Sequence, residues 1–314
     1  MSAVSADKIN MKAIIYGLLA SFFFAFAFIF NRSMELDGGY WAWSASLRYF
    51  FMLPLLLALV RFRGGHSLAS SLRHLREHLP AYLLWSTVGF GLFYAPVCFG
   101  AAYGQGWLLA ATWQVTIIAG PLMTPLLAAP AFSARIPWRA MRWSLLILVG
   151  IFLMQLEHAR AVSGGQALYC VLPVLLAAFM YPLGNRKMMA VCRDGVDTFQ
   201  RVLNMTIASQ PFWLALAAWA LWDYGPPSAG QAAQSLLVAV FSGVVATLLF
   251  FAATNLVRRD QTRLAAVEAT QSGEILFALL GELILLAAPL PSEVSFFGMG
   301  LVVVGMLLHS LRRG

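Results

Sequence analysis

The chain has 314 residues, 61% of them hydrophobic and only 11% charged, with a formal net charge of +8. A soluble domain is nearer half apolar and a quarter charged, so this composition excludes a soluble enzyme, a disordered chain and a nucleic-acid module. The positive charge reads as basic residues held on one side of a bilayer rather than as a polyanion site.

A helix crossing ~30 Å of hydrocarbon needs about 20 apolar residues. In chain order the apolar runs predict helices at 12–32, 41–61, 80–102, 107–128, 141–157, 167–187, 198–222, 234–257, 264–288 and 292–311. The predicted fold class is all-α integral membrane, with ten transmembrane helices and loops too short for a soluble domain. The polar start, followed by a span-length run without a small-residue cleavage site, predicts no cleaved signal. Prolines within the runs, such as Pro54, Pro96, Pro173 and Pro211, are tolerated in a membrane bundle because neighbours satisfy the freed backbone groups. Cys98, Cys170 and Cys192 lie far apart, which predicts neither a disulfide framework nor a zinc site. No nucleotide, dinucleotide or metalloprotease fingerprint occurs, so no cofactor and no enzymatic activity are expected.

Seventeen of the 21 Lys and Arg residues fall at the two chain ends and in the loops after spans 2, 4, 6 and 8. The opposite loops hold Arg32 and Arg160, and only Arg48 and Arg201 lie within spans. The positive-inside rule then predicts both termini cytoplasmic, in a bacterial-type inner (plasma) membrane. Five spans per half is an odd number, so a duplicated half would be inverted. Landmarks of such a duplication recur at offsets of 153 or 154 residues: Asn31-Arg32-Ser33-Met34 against Asn185-Arg186-Lys187-Met188, Arg48 against Arg201, and Gly89 against Gly243. They predict a first five-helix repeat over residues 12–157 and an inverted second repeat over 167–311, facing each other across a central site.

Two segments add a family likeness. Ala111-Thr112-Trp113-Gln114-Val115-Thr116 in span 4, and the stretch from Ala266 through Glu268 and Gln271 to Glu274 in span 9, resemble the drug/metabolite transporter superfamily, in its multidrug-resistance efflux branch. The resemblance covers nearly the whole chain. It implies a secondary exporter of small metabolites or drugs from the cytoplasm. The first span departs from the small four-helix members, which carry a coupling Glu there: Ile14 to Phe30 contains no acid.

Glu268, Glu274 and Glu282 all fall in span 9. A charge at the bilayer centre costs roughly 2.5–3.5 kcal/mol on the insertion scale, so these acids must face protein or water. At about 100° per residue they share one face with Gln271. Glu274 lies about 15 Å along the span, nearest the midplane, and Glu282 nears the far interface, where an acid needs no special role. Low dielectric favours the neutral carboxyl, and a cationic substrate would displace the proton. Glu274 and Glu268 are therefore the candidates for proton coupling as well as for substrate binding.

Gln271, Gln114, Trp113, Trp85, Tyr94 and Arg48 complete the predicted binding set. Trp85 and Tyr94 belong to an aromatic face suited to stacking and cation–π contact. Arg48 can meet an anionic substrate group, pair with an acid or snorkel to the headgroups, and Arg201 is expected to snorkel. Thr112, Thr116, Gly120 and Thr124 form a small-residue packing stripe. His66, His74 and His78 read as a solvated, headgroup-facing segment. The expected partners are a small-molecule substrate, the lipid bilayer and protons, with no nucleic acid; monomer and homodimer both fit. An uncoupled facilitator of amino acids or similar metabolites, in which the acids are structural, is the alternative reading.

Overall fold

Apolar length decides the elements. In the computed structural model, which describes residues 3–63, 68–123, 143–192, 195–258 and 260–311, every regular element is helical. Among the described residues six helices are long and apolar enough to cross a membrane: Met11–Leu36, Trp41–Phe62, Leu79–Ala101, Ser144–Ala161, Gly164–Cys192 and Ala229–Leu256. We number the elements α1 (Ala3–Leu36), α2 (Trp41–Phe62), α3 (Leu68–Glu77), α4 (Leu79–Ala101), α5 (Gly106–Trp113), α6 (Thr116–Leu122), α7 (Ser144–Ala161), α8 (Gly164–Cys192), α9 (Thr198–Asp223), α10 (Ala229–Leu256), α11 (Gln261–Ala269), α12 (Gly273–Leu285) and α13 (Glu293–Leu311). The fourth apolar run therefore contains two short helices, α5 and α6, and the ninth contains α11 and α12. The end of the fourth run with Thr124, and the basic residues Arg135, Arg139 and Arg142, lie outside the described residues.

Local chemistry sets several helix ends. Asp197 and Gln200 form a capping box at the start of α9, each side chain bonding the other's backbone N–H, which satisfies two donors that a helix start leaves orphaned. Ser228 caps α10 through the Gln231 N–H. Pro54, Pro96, Pro173, Pro182 and Pro211 all sit inside helices. Both α4 and α10 contain a widened π-helical stretch, Thr87–Gly91 and Ala239–Ala246. Each stretch contains one of the two glycines, Gly89 and Gly243, that recur between the halves.

The packing pairs elements across the chain. α1 lies against α10 and α12, while α8 lies against α4, α5 and α6. α2 packs on α9, and α7 on α13. Apolar side chains cover the outward surface: Leu145, Phe152, Leu172, Leu214 and Ile284 are all exposed, as a lipid-facing surface requires.

Close helix crossings explain some of the small residues. A Cβ added to Gly184 of α8 would lie 2.3 Å from the Gly89 Cα of α4, so backbone meets backbone there, and only glycine fits. A Cβ on Gly150 of α7 would likewise meet the Gly298 carbonyl of α13 at 2.4 Å. Gly184→Ala is expected to destabilise the folded chain by about 1–3 kcal/mol, the usual range for overpacking. Thermal unfolding of the detergent-solubilised protein measures this, and a wild-type midpoint would refute the crossing.

Candidate functional site

Two helix breaks face each other inside the bundle. α5 ends before Gln114 and Val115, and α11 is joined to α12 by a tighter turn over Thr270–Ser272. At the first break the Gln114 and Val115 amides donate to the Ala111 and Thr112 carbonyls, both at 3.1 Å, three residues back rather than four. The Gln114 side chain takes up the slack. Its Nε2 donates to the Ala110 carbonyl at 3.0 Å and to the Gln271 carbonyl of the other break at 3.1 Å. One side chain thus joins both discontinuities.

Beside the breaks lies a small cavity. Polar groups enter it from four helices: Arg48 from α2, Tyr94 from α4, Ser242 from α10 and Glu274 from α12, together with Gln271 at the break. Phe24, Phe28, Phe93, Trp113 and Tyr181 supply aromatic walls. A second small cavity shares Trp113, Tyr181 and Gln271 with the first. It adds Thr116, Asn185, Arg186 and Glu268.

The acids on this helix pair have three different environments. Glu274 is 1% exposed, and neither carboxyl oxygen has a hydrogen-bond partner among the described residues. Glu268 is ion-paired with Arg186 of α8, its two oxygens 2.9 and 3.3 Å from Nη2. The same guanidinium donates from Nη1 to the Gly120 carbonyl at 2.9 Å, so three elements are tied at one end of the second cavity. Glu282 differs from the expectation that it needs no role. Its carboxylate accepts from the Gly106 and Trp107 amides at 2.7 and 3.3 Å, capping the first turn of α5 where orphan N–H groups and the helix dipole favour an acceptor.

The two intramembrane arginines also differ from the snorkelling expectation. Arg48 is 2% exposed and Arg201 4%. Each guanidinium lies over an aromatic ring, Tyr94 at 3.9 Å and Phe251 at 4.4 Å from the centroid. Arg48 lines the first cavity with Tyr94 of α4 over it, and Phe251 of α10 covers Arg201, so neither extends to the protein surface. The Arg48 Nε, and the Arg201 Nε and Nη2, have no partner among the described residues.

Of the residues predicted from sequence, Arg48, Tyr94, Trp113, Gln271 and Glu274 meet at the first cavity, while Glu268 faces the second. Gln114 lines neither, because its amide is spent on the breaks, and Trp85 lies apart with Lys187 Nζ 5.6 Å from its ring. Tyr181, Ser242 and Arg186 were missed. Arg186 carried a signal: it belongs to the repeated Asn-Arg-x-Met segment but resembles an ordinary loop cation. Outside the spans, His74 and His78 stack at 4.4 Å, and burial together with the His78 charge holds His74 below its ordinary value. Among the described residues no third His, Cys, Asp or Glu joins them.

Replacing Glu282 by Ala is expected to cost about 2 kcal/mol, because two buried amides lose their acceptor. Glu282→Gln, which keeps one acceptor oxygen, should fall between. Equal unfolding midpoints for wild type and Glu282→Ala in detergent would rule out the cap.

The comparisons agree with one another. The family described as "EmrE: Putative multidrug resistance efflux transporter" matches residues 11–314. The Bacillus subtilis (strain 168) "Uncharacterized protein YjlA" is 52% identical over 308 residues, covering 96% of this chain and 94% of its own length. The Shouchella clausii "Uncharacterized 42.1 kDa protein in intracellular alkaline protease 3'region" is 45% identical over 269 residues, 84% of this chain and 70% of its own. A solved crystal structure with 14% identity covers 95% of this chain and 96% of its own at a TM-score of 0.65, a shared fold.

Proposed function

Because the chain belongs to the EmrE-type family of putative multidrug resistance efflux transporters, a family of multi-pass membrane proteins, we propose that it is a secondary exporter in the plasma membrane. Small organic molecules bind in the central cavity and leave the cytoplasm in exchange for protons. One observation carries this reading: Glu274 is buried at the wall of an aromatic cavity with both oxygens unpartnered. Burying an unpaired carboxylate costs several kcal/mol, so this group requires either a proton or a cation at each stage of a cycle. Two ligands that compete for one carboxyl are coupled without any further machinery.

In this proposal the chain crosses the bilayer ten times, in two inverted five-helix repeats with both termini cytoplasmic. The reciprocal packing supports it, since α1 meets α10 and α12 as α8 meets α4 and α5. So do the paired π-helical stretches around Gly89 and Gly243, and the two helix breaks. In the proposed cycle the Arg186–Glu268 pair closes the cytoplasmic side, and Glu268 is the second acid on the proton route. Gln271 and Trp113, common to both cavities, form the passage between them, and Tyr94 and Arg48 contact the bound molecule. Gln114 supports the site through the break, and Trp85 is the outlying member of the aromatic face.

In proteoliposomes, a pH gradient should drive uptake of a substrate, and Glu274→Gln should lower that uptake by about tenfold or more, the usual size of coupling between two ligands. Gradient-driven uptake at the wild-type rate in the variant would refute coupling at this residue. A cysteine placed at Thr116 reports on the gate. Arg186→Ala should make it react faster with a membrane-impermeant thiol reagent, and an unchanged rate would mean that the ion pair does not close the path.

A further inference from the structure

We infer that Tyr181 relays protons between Glu274 and Glu268, through one ordered water in each cavity. The inference rests on the transport reading above and adds the route that the proton takes. Tyr181 is 8% exposed, and its hydroxyl has no hydrogen-bond partner among the described residues. Among those residues it is also one of three that line both cavities. The other two suit a relay less well. Trp113 offers an indole N–H, which donates and cannot accept, and the Gln271 Nε2 donates to the Gly17 carbonyl at 3.5 Å. A phenol hydroxyl does both, so it takes a proton on one side while giving one up on the other.

Each cavity has room for about one water molecule, and a buried water typically makes about three hydrogen bonds. In the first cavity both Glu274 oxygens, the Arg48 Nε, the Ser242 Oγ and the Tyr181 hydroxyl lack partners among the described residues. In the second the Asn185 Oδ1 and the Arg186 Nε do so, beside the Glu268 carboxylate. Tyr94, the other phenol of the first cavity, is already bonded to Asn31 at 3.1 and 3.2 Å. Asn185 follows Tyr181 by four residues on α8, so the two lie on one face, about 6 Å apart along the helix. Protonated Glu274 gives its proton to the first water. That proton passes to the Tyr181 oxygen as the hydroxyl hydrogen leaves for the second water, which delivers a proton to Glu268. The waters and the phenol end as they began. Glu274 is left as a carboxylate beside Arg48, free to take a cation, and Glu268 becomes a neutral acid that holds Arg186 less strongly.

The test follows Glu274 itself, in the full-length protein in nanodiscs with no ligand added. Time-resolved infrared spectroscopy after a pH jump records the carbonyl stretch of its protonated carboxyl, identified by its absence in Glu274→Gln. Tyr181→Phe keeps the ring and its contacts with Phe93 and Trp113 and removes only the hydroxyl. The band should persist in this variant and respond to the jump at least about tenfold more slowly, a modest share of what a positioned proton-transfer group contributes. Lost packing alone would lower the unfolding midpoint and leave that rate unchanged. A wild-type rate in Tyr181→Phe overturns the relay while leaving coupling at Glu274 in place. A Glu274 band that ignores pH in the wild type overturns the coupling, and the relay with it. A map that resolves ordered water should show one between Glu274 and the Tyr181 hydroxyl, and its absence there would refute the relay whether or not the variant folds.

Discussion

A helix that breaks inside hydrocarbon strands its own backbone groups, and in this molecule the way those groups are satisfied governs everything around them. In hydrocarbon no water replaces a lost partner, and each unpaired amide or carbonyl there costs several kcal/mol. Gln114 answers with two donors, one to its own helix and one to the carbonyl of Gln271 across the interface. Glu282 answers at the start of α5 with two acceptor contacts. With the backbone satisfied, the chain can turn irregular at the centre without collapsing. Irregular backbone next to a hollow is the arrangement in which transporters hold their ligands.

The buried charges divide according to whether the protein itself completes them. Glu282 is completed by amides, and Glu268 by Arg186. Glu274 and Arg48 are not completed, and both face the same aromatic-walled space. Completed charges fix geometry, since breaking such a pair leaves a stranded charge. Incomplete ones raise the energy of the empty state and thereby favour whatever completes them. Three acids on one helix pair thus have three environments: one caps amides, one is ion-paired and one has no partner among the described residues.

Much of this was legible in the sequence, for identifiable reasons. Apolar run length reports directly on membrane crossing, so the helical intervals were readable even where prolines interrupt them. The 3.6-residue period placed Glu274 and Gln271 on a common face, because that relation is local to one helix. The helix breaks were not legible: residues 107–128 and 264–288 each have the length and apolar content of a single span, and the tightening at Gln114 and Thr270–Ser272 depends on what packs beside them. The partners of Glu268 and Glu282 lie 82 and 176 residues away, beyond any local pattern. Arg201 was misread for the same reason. A long basic side chain near a helix end can reach water when its helix faces lipid, but Arg201 is buried and Phe251 from α10 covers it.

The two cavities give the charged groups an order along the molecule. Glu274 and Arg48 stand in one chamber, the Arg186–Glu268 pair stands in the next, and Trp113, Tyr181 and Gln271 belong to both. Any ligand that leaves Glu274 through the second chamber must pass those three side chains and then an ion pair anchored to the Gly120 carbonyl. At the opposite end of α2, Tyr40 stacks on Tyr224 at 4.9 Å and donates to Asp223 at 2.8 Å, while Trp43 donates to the Gly225 carbonyl at 2.7 Å. These contacts join the loop after α1 to the loop after α9. The Gly120 contact of Arg186 and the Tyr40 and Trp43 contacts each join an element of the first half of the chain to one of the second. The glycine crossings at Gly89–Gly184 and Gly150–Gly298 do so with backbone against backbone, where no side chain fits.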